Sequence, residues 1–198
     1  VQLSSASSAD ERTVYESWLK ELHPQKKFYF IDLEKYRLIA DWHHMALLEM
    51  TRLKDFQPKV EWVAKRLGNK VPSPKIQEAI HRLLTLGLLK QEGETLKKTQ
   101  ERLTTPKDFA SRPIRTHHKQ VMALAAEALE SQSVEERDFN ACALTINKDS
   151  IPQAKEIIAE FRAKMSHLLE KHPGDETYQL NVQFFRLTEN FKNEKEGK

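Results

Sequence analysis

Three apolar stripes at helical spacing, each closed by a proline or glycine, followed by a glycine-centred polar tip, confine Asp41 to Lys98 to one small helical unit ending in a hairpin. Asp41 offers an N-cap, and Trp42, Met45, Leu48 and Leu53 form the first inward stripe before Pro58 breaks it. Val60, Val63, Ala64 and Leu67 make a shorter second helix, with Gly68 as its stop. Ser73-Pro74 opens the third helix with a hydroxyl cap and a proline where no N–H is needed. Its stripe is Ile76, Ala79, Ile80, Leu83 and Leu84, and Gly87 closes it. Leu88 to Lys90 and Thr95 to Lys98 then flank Gly93, the signature of a β-hairpin. Three helices and a hairpin, with a tight turn between the second and third helices, predict a winged helix-turn-helix domain over residues 36–105.

The chain on either side has another character. Residues 1–10 are polar and Ser-rich, a flexible tail, and Val14, Tyr15, Trp18, Leu19 and Leu22 predict a short helix within the arm of residues 11–35. Phe28 to Ile31 fits either a brief strand or an extended arm. Thr-Thr-Pro and Arg112-Pro113 mark a hinge, after which Val121, Leu124, Ala125, Ala128 and Leu129 define a long helix from about Ile114 to Gln132. Ala141 to Ile146 reads as an apolar strand, Ser150 and Pro152 open a helix to about Lys171, and Tyr178, Leu180, Val182 and Phe184 alternate as a second strand. Helix, then strand-helix-strand, predicts a small α/β domain over 106–188, suited to dimerisation or sensing, with 189–198 a charged tail. The expected class is therefore α+β.

Composition excludes several alternatives. An apolar share of 39% and a charged share of 31% are those of a globular chain. No run is long and apolar enough for a membrane span, and no signal peptide opens the chain. Cys142 stands alone, so no internal disulfide can form and a reducing cytoplasm is expected. The first residue is not methionine, as in a trimmed chain whose upstream domain is missing.

The net charge of +3 is modest, but it is unevenly placed. Residues 36–105 hold thirteen Lys/Arg against eight Asp/Glu, net +5, which leaves −2 for the remainder. Cations gathered on one module suit double-stranded DNA, whose counterions they displace. In a helix-turn-helix the second helix of the unit enters the major groove, which nominates the helix that starts at Ser73. Ser73, Lys75, Gln77, His81 and Arg82 face outward there, with Lys75, Gln77 and Arg82 the donors best suited to bases or phosphates. Lys65, Arg66 and Lys70 would hold the backbone near the turn. The hairpin tip, Gln91-Glu92-Gly93-Glu94, is acidic, so any wing contact falls to Lys97 and Lys98, and Glu78 intrudes on the reading face. The competing reading is an amphipathic bundle whose charges are simply solvated.

Other chemistry is thinly represented. His43-His44 and His117-His118 are adjacent on helices, so each pair diverges by about a hundred degrees and neither makes an i, i+4 chelate. Packing or surface roles are expected for them, with no metal and no cofactor. Five glycines leave no phosphate loop and no nucleophile elbow, so no enzyme activity is expected. Cys142, in an apolar strand, is expected in a core. Trp42, Met45, Trp62, Phe184 and Phe185 are read as core residues or, in a sensing domain, as the lining of a cavity between the halves.

Ala40 to His44, Leu83 to Leu89, Leu103 to Pro106, the His117-His118 block and Tyr178 to Thr188 together resemble an uncharacterised bacterial family of conserved hypothetical proteins. Its members are numerous in predatory delta-proteobacteria and fibrobacter-type bacteria and are described as transcription regulators. The resemblance runs from about Phe28 to Thr188 and implies regulation through helix-turn-helix character, with no catalytic residues to carry over. Complete members resemble a fusion of an N-terminal helix-turn-helix to a region like this one. The expected function is DNA-linked transcription regulation. The alternative is a protein-interaction, dimerisation or ligand-sensing region whose DNA reader lies upstream, with a homodimer or protein partner in either case.

Overall fold

A computed structural model describes residues 28–100, 102–104, 111–169 and 173–189. The expected N-terminal tail and first helix, most of the hinge, and all but the first residue of the C-terminal tail lie outside them. The class is α+β, helices with two small two-stranded sheets.

Phe28–Phe30 (β1) is a strand, paired in parallel with Arg102–Thr104 (β4), so the segment left open by its sequence closes the unit from both ends. Asp32 caps Leu33–Leu38 (α1) by accepting from the Lys35 amide at 2.8 Å. Trp42–Met50 (α2), Val60–Arg66 (α3) and Ser73–Thr85 (α4) follow. Ser73 is the first helical residue, and Pro72 takes the cap position, so the expected hydroxyl cap is not made. Gly68 and Gly87 both end their helices with positive φ, 63° and 66°. After α4, the Gly87 amide bonds the Leu84 carbonyl and the Leu88 amide that of Leu83, the paired reversal that suits a left-handed glycine. Leu89–Glu92 (β2) and Thr95–Lys98 (β3) then pair antiparallel, Leu89 opposite Lys98, about a two-residue turn with Gly93 at φ 60°.

One core serves this unit. Ile39, Leu47, Leu48, Met50, Val63, Ile76, Leu83, Leu88, Leu89 and Leu96 are buried together, with Trp42, Phe56, Trp62, Ile80 and Leu84 packed around them. The stripe expected for α2 was too narrow: His43, His44 and Leu47 are buried as well, because α4, β3 and the next long helix, Arg112–Ser131, pack on α2 from several sides.

The C-terminal half departs from expectation. Arg112–Ser131 (α5) and Ile151–Leu169 (α6, entered through a 3-10 turn at Lys148–Ser150) are helices. Ala141 to Ile146 and Tyr178 to Leu187 are not strands: their backbone groups join no ladder among the described residues. Apolar or alternating side chains make a strand only where a partner backbone lies alongside, and none does so among the described residues. Cys142 is consequently exposed, not in a core. Among the described residues beyond 100, only Ser111, Val121 and Ala163 are buried. No described helix is long and apolar enough to cross a membrane.

Candidate nucleic-acid interface

Burial of Ile76, Ala79 and Leu83 turns the opposite side of α4 outward. Ser73, Gln77 and His81, each four residues on from the last, form one exposed row, and Lys75, Glu78 and Arg82 form a second row about 100° or more further round the helix. From Ser73 to His81 the row extends about 12 Å at 1.5 Å per residue. Lys75 is exposed and near enough to Asp41 and His43 to influence the protonation of both.

Several expected cations are committed within the chain. Arg82 pairs with Glu78 and donates to the Leu38 carbonyl at 3.0 Å, so it ties α4 to the end of α1 instead of standing free. Arg66 donates to the Asp175 carbonyl at 2.7 Å, pairs with Glu176 at 3.1 Å and lies over the Trp62 ring, so it anchors the segment after Gly174. Lys98, expected on the wing, has a side chain only 9% exposed and pairs with Glu49. Lys97 and Lys90 both pair with Glu92, and their hydrogen bonds hold that carboxyl down to about 2. Lys70 pairs with Glu127 on α5, both partly exposed, a contact that water or phosphate can replace at little cost. Of the ten residues expected at the interface, Lys65, Ser73, Lys75, Gln77 and His81 remain exposed without an ion pair among the described residues. Sequence spacing identifies outward positions but not the acidic groups that the fold brings to them.

A second polar cluster lies where α5 meets the start of α2. Asp41 is the N-cap of α2 but makes no side-chain cap bond. Its carboxylate accepts instead from Gln120 Nε2 at 2.7 Å, and Gln120 Oε1 accepts from the Trp42 amide at 2.8 Å. That Gln120 hydrogen bond is the main reason the Asp41 carboxyl sits below its usual range. His117 on α5 places Nδ1 3.1 Å from the Ala40 carbonyl. Gln120 therefore holds α5 to α2 by both ends of its amide, across 79 residues from Asp41, and no local sequence signal marks it.

His43 and His44 stack with ring centroids 4.4 Å apart. His44 Nδ1 lies 3.1 Å from the Asp41 carbonyl and must donate to it, because a carbonyl only accepts. Its Nε2 is left as a bare lone pair, buried and without a hydrogen-bond partner. Burial pushes the His44 imidazole down to about 4, with His43 next to it acting in the same direction, and burial also lowers His43 and His117. Asp41, His43 and His44 bring one ligand atom each within 4.8 Å of one another, close enough to raise the question of a metal. The rings are 27° from parallel, however, so their lone pairs run side by side instead of converging, and Lys75 and Arg82 add positive charge nearby. The expected packing role fits this geometry better.

Between α2 and α5 lies a cleft of about 190 Å³, bordered by Trp42, Met45, Leu53, Val121, Leu124 and Tyr178. It is smaller than the ~300–1,000 Å³ of ordinary small-molecule sites, and Trp62, Phe184 and Phe185 do not border it. The segment that supplies Tyr178 is held by Gly174, which pairs with the backbone around Leu53, and by Asn181, whose side-chain amide donates to the Val121 carbonyl at 3.1 Å.

No curated protein and no solved structure matches the chain. The family described as "Domain of unknown function (DUF4423)" matches residues 22–187, most of the chain, and the protein belongs to that family.

Proposed function

We propose that the protein is a DNA-linked transcription regulator, that residues 36–105 act as a winged helix, and that α4 enters the major groove. The observation that carries this reading is the uncovered row Ser73, Gln77 and His81, with Lys75 exposed on another face of the same helix, on a module of net charge +5. Lys75 and Lys65 supply phosphate contacts, and Gln77 supplies an amide that pairs with adenine edges. The hairpin, with Lys97 tied to Glu92 and Lys98 half-buried and tied to Glu49, has a supporting role in this scheme and does not grip the backbone.

Anisotropy titrations of a labelled duplex over a series of salt concentrations test it. Wild-type affinity falls steeply with salt, Lys75→Ala reduces the logarithmic slope by about 1, and Gln77→Ala narrows the preference between duplexes without changing the slope. A wild-type protein that binds no duplex at low salt refutes the proposal, as does a Lys75→Ala, Gln77→Ala double variant that binds as wild type does.

The second reading is an interaction module of a regulator whose DNA reader lies elsewhere. It is favoured by the internal engagement of Arg66, Arg82 and Lys98 and by the apolar side chains that the C-terminal half leaves exposed.

A further inference from the structure

Residues 112–188 bury almost nothing of their own. Sixteen large apolar side chains from Met122 to Leu187 are at least 39% exposed, whereas the unit before residue 100 leaves only Leu38 in that condition among the described residues. The five aromatic ones, Phe139, Phe161, Tyr178, Phe184 and Phe185, would each bury about 150–250 Å² when fully covered. A stable complex needs about 800 Å² from each partner, which these side chains together can supply. A surface of this extent does not belong to a finished fold.

Its arrangement shows what would finish it. On α6, Ile157, Phe161 and Leu168 fall within about 40° of one another around the helix axis, and Ala163, the one buried residue of that helix, lies on the other side. The apolar stripe of the helix is therefore on its exposed side. Of the segments flanking α6, Ala141 to Ile146 is an apolar run and Tyr178 to Leu187 alternates, yet their amides and carbonyls bond no other backbone among the described residues. Each needs an edge to lie against. Residues 112–188 hold ten Lys/Arg against eleven Asp/Glu, net −1, so like surfaces do not repel.

We propose that a second copy of this chain covers this surface: α6 packs on its counterpart through Ile157, Phe161 and Leu168, and the two flanking segments become strands by pairing with those of the copy. A two-fold arrangement presents each apolar stripe to its equal and satisfies every segment at once, and no charged signature calls for a foreign partner. The inference is independent of DNA binding.

Light scattering coupled to size exclusion, with hydrogen exchange on the full chain, tests it. The expected mass is about 46 kDa, twice the 23.1 kDa of one chain. Amides of Ala141 to Ile146 and Tyr178 to Leu187 become at least tenfold slower to exchange as concentration rises through the dimer range. Phe161→Glu runs at 23.1 kDa at the same concentration, while Trp42 and Trp62 fluorescence stays that of the folded unit. The hydrogen-exchange measurement needs no variant, so a Phe161→Glu protein that fails to fold leaves that test in force. A wild-type mass of one chain at 100 µM overturns the proposal and points to a different partner. Protection that persists in a monomer also overturns it, because the segments then pair within one chain. So does a dimer that leaves both segments unprotected.

Discussion

His44 is a neutral imidazole locked in a core, and lowering the pH should unfold the protein through it. The side chain is 2% exposed, and its Nε2 has no acceptor to share a proton with. Folding moves its proton equilibrium from 6.5 to about 4. The unfolded chain binds the proton more readily, so acid favours unfolding: the stability that neutral His44 contributes is complete above pH 6.5 and is lost as the pH falls towards 4. The full interval corresponds to about 3 kcal/mol, and roughly 2 of that is gone by pH 5. His43 and His117, both lowered by burial, act in the same direction. Asp41 is held below 3.8, so its own acid loss lies beneath this window and does not mimic it. Urea unfolding at fixed protein concentration, at pH steps from 8 to 4.5, measures the effect. His44→Gln removes the titration while keeping a polar side chain, and its packing cost is the same at every pH. The decisive quantity is therefore the slope of stability against pH. If wild type and His44→Gln lose the same stability between pH 7 and pH 5, then His44 is not the buried neutral group described here.

Gln120→Ala removes both bonds that hold α5 to the start of α2 and leaves the Trp42 amide unpaired. It should cost about 1–3 kcal/mol in urea unfolding and speed exchange of that amide. Gly87→Ala places a Cβ where no atom lies within 4 Å, so its loss of about 1 kcal/mol comes from the backbone at φ 66° alone. Unfolding of that variant by an amount well beyond 1 kcal/mol would point to a packing clash instead.

The unit between Asp41 and Lys98 was legible because its determinants are local. Helical spacing, Pro74 at a helix start, Gly68 and Gly87 at helix ends and Gly93 in the turn each act within a few residues, and the helices and hairpin lie where these signals put them. The misreadings share one cause, distance along the chain. Arg66 meets Glu176 across 110 residues, and Lys98 meets Glu49 across 49, so outward spacing on a helix or strand could not reveal that either was engaged. Burial of His43 and His44 likewise depends on α4 and α5 closing over α2. The segment around Cys142 is an apolar run and that around Val182 alternates, but such patterns specify burial or a face and leave the partner backbone unspecified.

The two halves meet at Asp41, and that has a mechanical consequence. Its carboxylate is bonded by Gln120 of α5 and lies in the field of Lys75 at the start of α4. One side chain thus receives α5, which leads into the apolar surface, while feeling the charge at the head of the proposed reading helix. Because the Gln120 amide grips both the Asp41 carboxylate and the Trp42 amide, α5 cannot shift without releasing the cap of α2, the helix on which α4 packs. Packing of this kind is not continuously deformable, so a change in how α5 is held is passed on as a change in where α4 sits. A partner that fixes the C-terminal half would therefore bear on the presentation of Lys75 and Gln77 through Gln120, Asp41 and the packing of α4 on α2.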